Sequence, residues 1–384
     1  PFSSSGLSDV SVHVEKLRGF RVDFAYYWTY GAQNAAEMIV SNALEWGVNT
    51  IYALAYSWKY GTYWADPSTE HLESEGLIGD DDALPKLISV AHSNDIQVIA
   101  WIQPVNSLEE VWVAEPTWRA TKADGSYYDS AGDANSPRRY LLSPFNTNYL
   151  AWVDDLIDEI LDLGVDGIDI SETMIDPTVS TNLTYDAAAT NLFFERYPNG
   201  ELGDDEWVAL RSEILTSNTF GRVGEVVRAR TNKEYHVTFS LSAESDGDLR
   251  PVSYLSEGTG FDFGQILDLP EAVRPDVFNG EYIWQSKAAK NCDTNTFSPD
   301  WTAYAATTAV NRARGRVVVV SHPEISSGVS SGCGLSPINP TMEQFETSLF
   351  HAITNSAGVD FYSHHLAVNT NAGYVVSNVY FNTP

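Results

Sequence analysis

Cysteine and lysine are scarce in this chain of 384 residues, and long apolar runs are missing. Only two cysteines occur, Cys292 and Cys333, with no CxxC spacing. That excludes a cysteine-built zinc ribbon and a thioredoxin-type redox motif. Two readings of the pair remain: a disulfide made in an oxidising compartment, worth about 4 kcal/mol in the chain-entropy model, or two buried thiols. No apolar stretch reaches about 18 residues, so no membrane-spanning helix is expected. No GxGxxG or Walker pattern follows an apolar run, which removes support for the nucleotide-binding α/β folds. HExxH is absent, and the acidic runs Asp80–Asp82 and Asp246-Gly247-Asp248 match no defined calcium loop. Neither a metal nor a cofactor is therefore expected.

Positive charge is the other shortage. Twenty-two basic residues face 52 acidic ones, a formal net charge of -30, and only seven of the basic residues are lysine. A surface this acidic repels nucleic acid and anionic membranes, so neither is an expected partner. It matches the acidic, lysine-poor surfaces of halophilic proteins, where salt screens the self-repulsion, although plain solubility would also account for it. The chain opens on Pro1, and Asn182-Leu183-Thr184 fits a glycosylation acceptor. With the cysteine pair, these features point to an extracellular or cell-surface protein.

What is present is alternation. Apolar runs rich in β-branched and aromatic residues fall at 20–28, 49–57, 97–104, 167–172, 236–244, 276–284, 316–324 and 359–365. Helical patterns separate them, at 34–46, 81–94, 148–163, 205–230, 261–273, 298–315 and 341–357. In 148–163, Leu150, Val153, Ile157, Ile160 and Leu161 form one stripe and five acids the opposite face. Thr341 and Gln344 form a capping-box pattern. Eight strands alternating with helices predict an α/β fold, a (β/α)8 TIM barrel in one domain with long loops at its C-terminal face. The barrel is expected over 20–366, with an N-terminal arm at 1–19 and a C-terminal tail at 367–384 that could serve as contact arms in self-assembly.

The loops 58–80, 105–146 and 173–204 all follow strands, on the side where barrels carry their sites. They hold Trp58, Tyr60, Tyr63, Trp64, Trp112, Trp118, Tyr127 and Tyr128, suited to sugar rings or to packing the loops together. Cleaving a glycosidic bond needs a proton donor and a second carboxylate, so acids at strand ends are the candidates. Glu172 ends the fourth run, after Asp169 and Ser171, which share a face. Asp169 lies within an apolar strand, where a carboxylate must be paired or functional. Glu281 lies in the sixth run, Glu244 ends the fifth, and Glu324 ends the seventh; solvated surface is the bland alternative for Glu244 and Glu324. Trp58, Trp101, Gln103, Glu244, Trp284, His322 and His364 are the expected substrate contacts, with the tryptophans stacking and the histidines bonding hydroxyls or simply packed.

Four segments then carry a resemblance, running from about 18 to 366. Gly164 to Glu172, GVDGIDISE, resembles the "G-(V/F)-D-G-I-x-(L/F)-D" fourth strand of glycosyl-hydrolase-like barrels. Ala100 to Pro104, AWIQP, is similar to their "AWINP". Glu115-Pro116-Thr117-Trp118 with Leu142-Ser143-Pro144 is similar to "HPEW…LNP", and 276–285, DVFNGEYIWQ, to "DYVAPQIYWQ". These relatives include secreted bacterial barrels of unassigned activity and the hydrolase barrel of poly-N-acetylglucosamine processing proteins. The resemblance implies a secreted glycoside hydrolase acting on a polysaccharide or glycan, with Glu172 as general acid and Glu324 or Glu281 as second carboxylate. Asp169 would orient or tune them. The chain departs from the pattern at Ser171, where relatives carry aspartate, and it lacks the DGxDxDxE of chitinases. The departure keeps a second expectation open: an inactive barrel serving as a surface, filament or glycan-binding protein.

Overall fold

The computed structural model describes residues 16–57, 61–64, 82–104, 106–107, 109–127, 140–171, 184–243, 249–251, 263–282, 300–323, 341–370 and 372–382. Eight parallel strands close a ring: β1 (Leu17–Val22), β2 (Thr50–Ser57), β3 (Gln97–Ile102), β4 (Gly167–Ile170), β5 (Glu234–Ala243), β6 (Val277–Tyr282), β7 (Val318–His322) and β8 (Gly358–Phe361). Each pairs with the next, and β8 returns to β1 with Gly19 opposite Asp360 and Phe20 opposite Phe361. The fold is a (β/α)8 barrel, as the alternation predicts.

Helices cover the outside: α1 (Ala32–Trp46), α2 (Ala83–His92), α3 (Thr147–Asp162), α4 (Asp205–Leu215), α5 (Arg222–Arg228), α6 (Asp300–Ala313), α7 (Met342–Asn355) and α8 (Ala372–Asn382). The apolar core lies between ring and shell. Phe20, Ile51, Val98, Ile168, Val237 and Phe361 face Ile39, Leu87, Ile157 and Leu349 there. The period-2 alternation of each strand sends its remaining residues inward. No helix among the described residues is long and apolar enough to cross a membrane.

Where elements depart from the sequence expectation, local hydrogen bonds account for it. The first run, expected over 20–28, stops at Val22 because the Asp23 carboxylate accepts the Ala25 N–H at 2.9 Å and caps a 3-10 turn, Phe24–Tyr26. The run 359–365 stops at Phe361, and His364 opens the helical segment His364–Thr370. The pattern at 205–230 holds one continuous rod whose middle, Thr216–Gly221, is a π-helical turn between α4 and α5. The acidic face of α3 is a docking edge for α5 and the turn beyond it. Asp154 takes both arms of Arg222, at 2.6 and 2.9 Å, and Asp158 and Asp162 take Arg230. The stretch 367–384, expected as a tail beyond the barrel, contributes α8 to the shell. Tyr380 donates to the Gly19 carbonyl at 3.0 Å, and Gly373 lies flat on Trp46, where a Cβ would come within 2.3 Å of the indole.

Candidate active site

The barrel axis is charged. Arg21, an inward residue of β1, is buried and reaches six other strands, among them β7 through His322 Nδ1 at 3.3 Å. Its guanidinium meets Asp169 of β4 at 2.9 Å and Asp360 of β8 at 2.8 Å, and donates to the Thr238 hydroxyl of β5 at 2.6 Å. The same head lies 4.9 Å from the Tyr52 ring of β2 and 5.5 Å from Trp101 of β3. Thr238 in turn donates to Asp169 at 2.9 Å, and His322 of β7 contacts Asp360 at 3.1 Å. One arginine thus holds two fully buried carboxylates, which would otherwise be costly to leave in the interior.

Electrostatics follow from that packing. Burial pushes the Asp360 carboxyl up, but His322 and Arg21 outweigh it and hold its pKa below the ordinary carboxylate value. Burial alone would lower the Arg21 pKa; Asp360 and Asp169 more than offset this and raise it. The Tyr52 phenol is pushed well up, first by burial and then by the two carboxylates. Below this layer the Tyr52 hydroxyl shares a 3.0 Å hydrogen bond with His236 Nδ1, and His236 Nε2 one of 2.8 Å with Glu234. A polar column therefore runs up the axis and ends under the strands' C-terminal ends.

Of the residues singled out in the sequence, this column gathers Asp169, Trp101 and His322. Gln103, just past β3, is buried at the same end. Asp169 is a hub: both of its oxygens accept from Thr238, and one also meets Arg21. The backbone register puts Glu281 of β6 opposite His322 of β7 and Ser240 of β5. His364 lies elsewhere, on the helix side of β1 between Phe20 and Trp46, with Nδ1 bonded to the Tyr27 hydroxyl and Nε2 to Asn42. Glu172, Glu244, Glu324, Trp58, Trp284, Cys292 and Cys333 lie outside the described residues. The loop aromatics that are described pack internally: Tyr63 and Trp64 are buried, Arg119 lies over Trp112 at 3.7 Å, and Trp118 sits against Tyr149 and Trp152. Among the described residues, no cluster of three His, Cys, Asp or Glu could hold a metal ion.

Sequence reasoning missed Arg21 as the organising residue. The signal was present, since an arginine inside the apolar stretch FRV calls for a buried partner just as Asp169 does.

No family model matches the sequence, and no curated protein does. Solved structures match by fold. A β-galactosidase from the psychrophilic Marinomonas ef1 superposes with a TM-score of 0.66 at 11% identity, over 95% of this chain and 59% of that one. The α-L-fucosidase isoenzyme 2 of Paenibacillus thiaminolyticus gives 0.57 at 12%, over 95% and 49%. A GH20 exo-β-N-acetylglucosaminidase of Vibrio harveyi, in complex with N-acetylglucosamine, gives 0.54 at 11%, over 94% and 54%. The chain spans about half to three-fifths of these proteins. At such identities the likeness is one of fold alone, the (β/α)8 barrel.

Proposed function

We propose that this chain is an exported glycoside hydrolase acting on a neutral glycan. The observation that carries the reading is the charged column of Arg21, Asp169, Asp360 and His322, which ends at the barrel mouth in a fold that glycoside hydrolases share. Barrel enzymes place their chemistry at that face. Glu172, directly after buried Ser171, would donate the proton to the leaving oxygen; Glu324 or Glu281 would act as second carboxylate. Asp169, with its oxygens committed to Arg21 and Thr238, positions β4 rather than giving a proton. The high negative charge favours neutral over anionic glycans.

One observation favours a second reading, an inactive barrel that binds glycan or assembles on a surface: Ser171 stands where similar barrels carry aspartate, and it is buried with its N–H on the Ile102 carbonyl. Reducing-end release from a polysaccharide panel in molar salt separates the two, with wild type beside Glu172→Gln. Release that the variant abolishes supports the hydrolase. Near wild-type release by the variant removes Glu172 from the role. Glycan binding without release, from folded protein, supports the inactive barrel.

A further inference from the structure

The segment between β1 and α1 has a construction that the axial column does not explain. Asp23 caps its 3-10 turn and also accepts from the Tyr63 hydroxyl at 3.2 Å. Phe24 packs inward on Tyr63, and Tyr27 inward on His364. A second turn closes with the Tyr30 N–H on the Tyr27 carbonyl at 2.9 Å, and Asn34 donates to the Tyr30 carbonyl at 3.0 Å. This scaffold leaves the alternate aromatics outside: Tyr26 is 51% exposed, Trp28 63% and Tyr30 50%. Three large rings held in water within five residues, on a segment anchored at both ends, form a patch of the kind that marks a binding surface.

Its position is specific. The segment after β8 supplies His365, whose ring stacks on Tyr26 at 3.5 Å and 13°, fixed by a 2.6 Å hydrogen bond between Nδ1 and the Ser363 hydroxyl. Burial lowers the His365 pKa to about 4, so the ring is neutral near neutral pH. Because β1 and β8 pair with Phe20 opposite Phe361, both segments leave the ring side by side, directly past Arg21 and Asp360. The patch therefore borders the mouth above the column.

We infer that Trp28, flanked by Tyr26 and Tyr30, is a stacking subsite for a pyranose ring of a neutral glycan, at the rim where the segments after β1 and β8 meet. The inference rests on the glycan reading above and names where that glycan lies. Indole and phenol faces match the C–H face of a pyranose, and their polar edges stay wet. An anionic sugar would meet the field of a chain carrying -30. A rim subsite beside the reacting centre holds a unit of a longer chain, so the ligand is an oligosaccharide rather than a monosaccharide.

The test is calorimetric titration of the full chain in molar salt with cellohexaose, chitohexaose and mannohexaose, for wild type, Trp28→Ala and Trp28→Tyr. Trp28 is mostly exposed, so both variants should melt with the wild type. The expected result is binding of at least one hexaose by wild type, weakened about fivefold in Trp28→Ala, as a stacked ring is worth about 1 kcal/mol. Trp28→Tyr should recover most of that loss, which a general loosening of the segment would not allow. Equal affinity of Trp28→Ala and wild type overturns the subsite and leaves the glycan reading standing. Wild type that releases reducing ends yet binds no hexaose overturns the subsite alone. No binding together with no release overturns both.

Discussion

At the scale of single residues, Arg21 carries the greatest consequence. Replacing it by methionine leaves Asp169 and Asp360 buried without their cation, a loss of about 3–5 kcal/mol read from denaturant midpoints. Arg21→Lys should lose less, since it keeps the charge and gives up only the forked geometry. His364 makes a pH prediction. Burial first, and then the neighbouring His365, lowers its pKa from 6.5 to about 3. Unfolding restores the ordinary value, so the unfolded chain takes up a proton that the folded chain refuses. The stability it contributes is complete above pH 6.5 and drains away as pH falls toward 3, on the order of 5 kcal/mol at the limit. Denaturant midpoints across that window should decline more steeply for wild type than for His364→Gln; parallel declines would rule the assignment out. Asp360, held low, adds its own loss only below the ordinary carboxyl value of 3.8. Arg21 and Asp360 stand as charges in apolar strands, a signal that was present in the sequence but passed over. Their pairing was not legible, because 339 positions separate them and only ring closure brings them together.

At the scale of elements, the eight strands were readable because each alternates β-branched or aromatic residues between helical patterns. The ends were less so. FAYYW after Val22 reads as more strand, and a single side-chain cap at Asp23 turns it into the segment that presents Trp28. The capping box was legible as written: Thr341 and Gln344 exchange both bonds, at 3.2 and 2.9 Å. Thr341→Ala should cost about 1 kcal/mol, checked by thermal unfolding. Gly224 gave no sequence signal. In α5 it lies against Val273, where an added Cβ would come within 2.0 Å of the carbonyl oxygen. Gly224→Ala must push α5 off that backbone, and about 3 kcal/mol or more of stability should go with it. A loss no larger than that of an exposed helix substitution would show that α5 can shift freely.

At the scale of the whole molecule, self-repulsion dominates. Ion pairs such as Asp154 with Arg222 are half-exposed and worth little each, whereas a net charge of -30 acts over the entire surface. Raising salt from about 0.1 M to about 1 M shortens the screening length from about 10 Å to about 3 Å. The melting temperature should therefore rise with potassium chloride, although the surface pairs weaken. A flat or falling response would favour acidity for solubility alone.

The seam between β8 and β1 bears on how the chain is made. During synthesis β1 emerges first and its final neighbour about 340 residues later, at Gly358–Phe361. Until then the growing sheet has two open edges, which are templates for pairing with other nascent chains. Arg21 meanwhile lacks Asp360, so a half-made barrel cannot settle its axis and stays loose. Ring closure, charge neutralisation and the docking of α8 on Trp46 and Gly19 all wait on the same late segment. The ribosome thus delivers the latch last, and chaperone demand should be greatest for chains stalled just short of it.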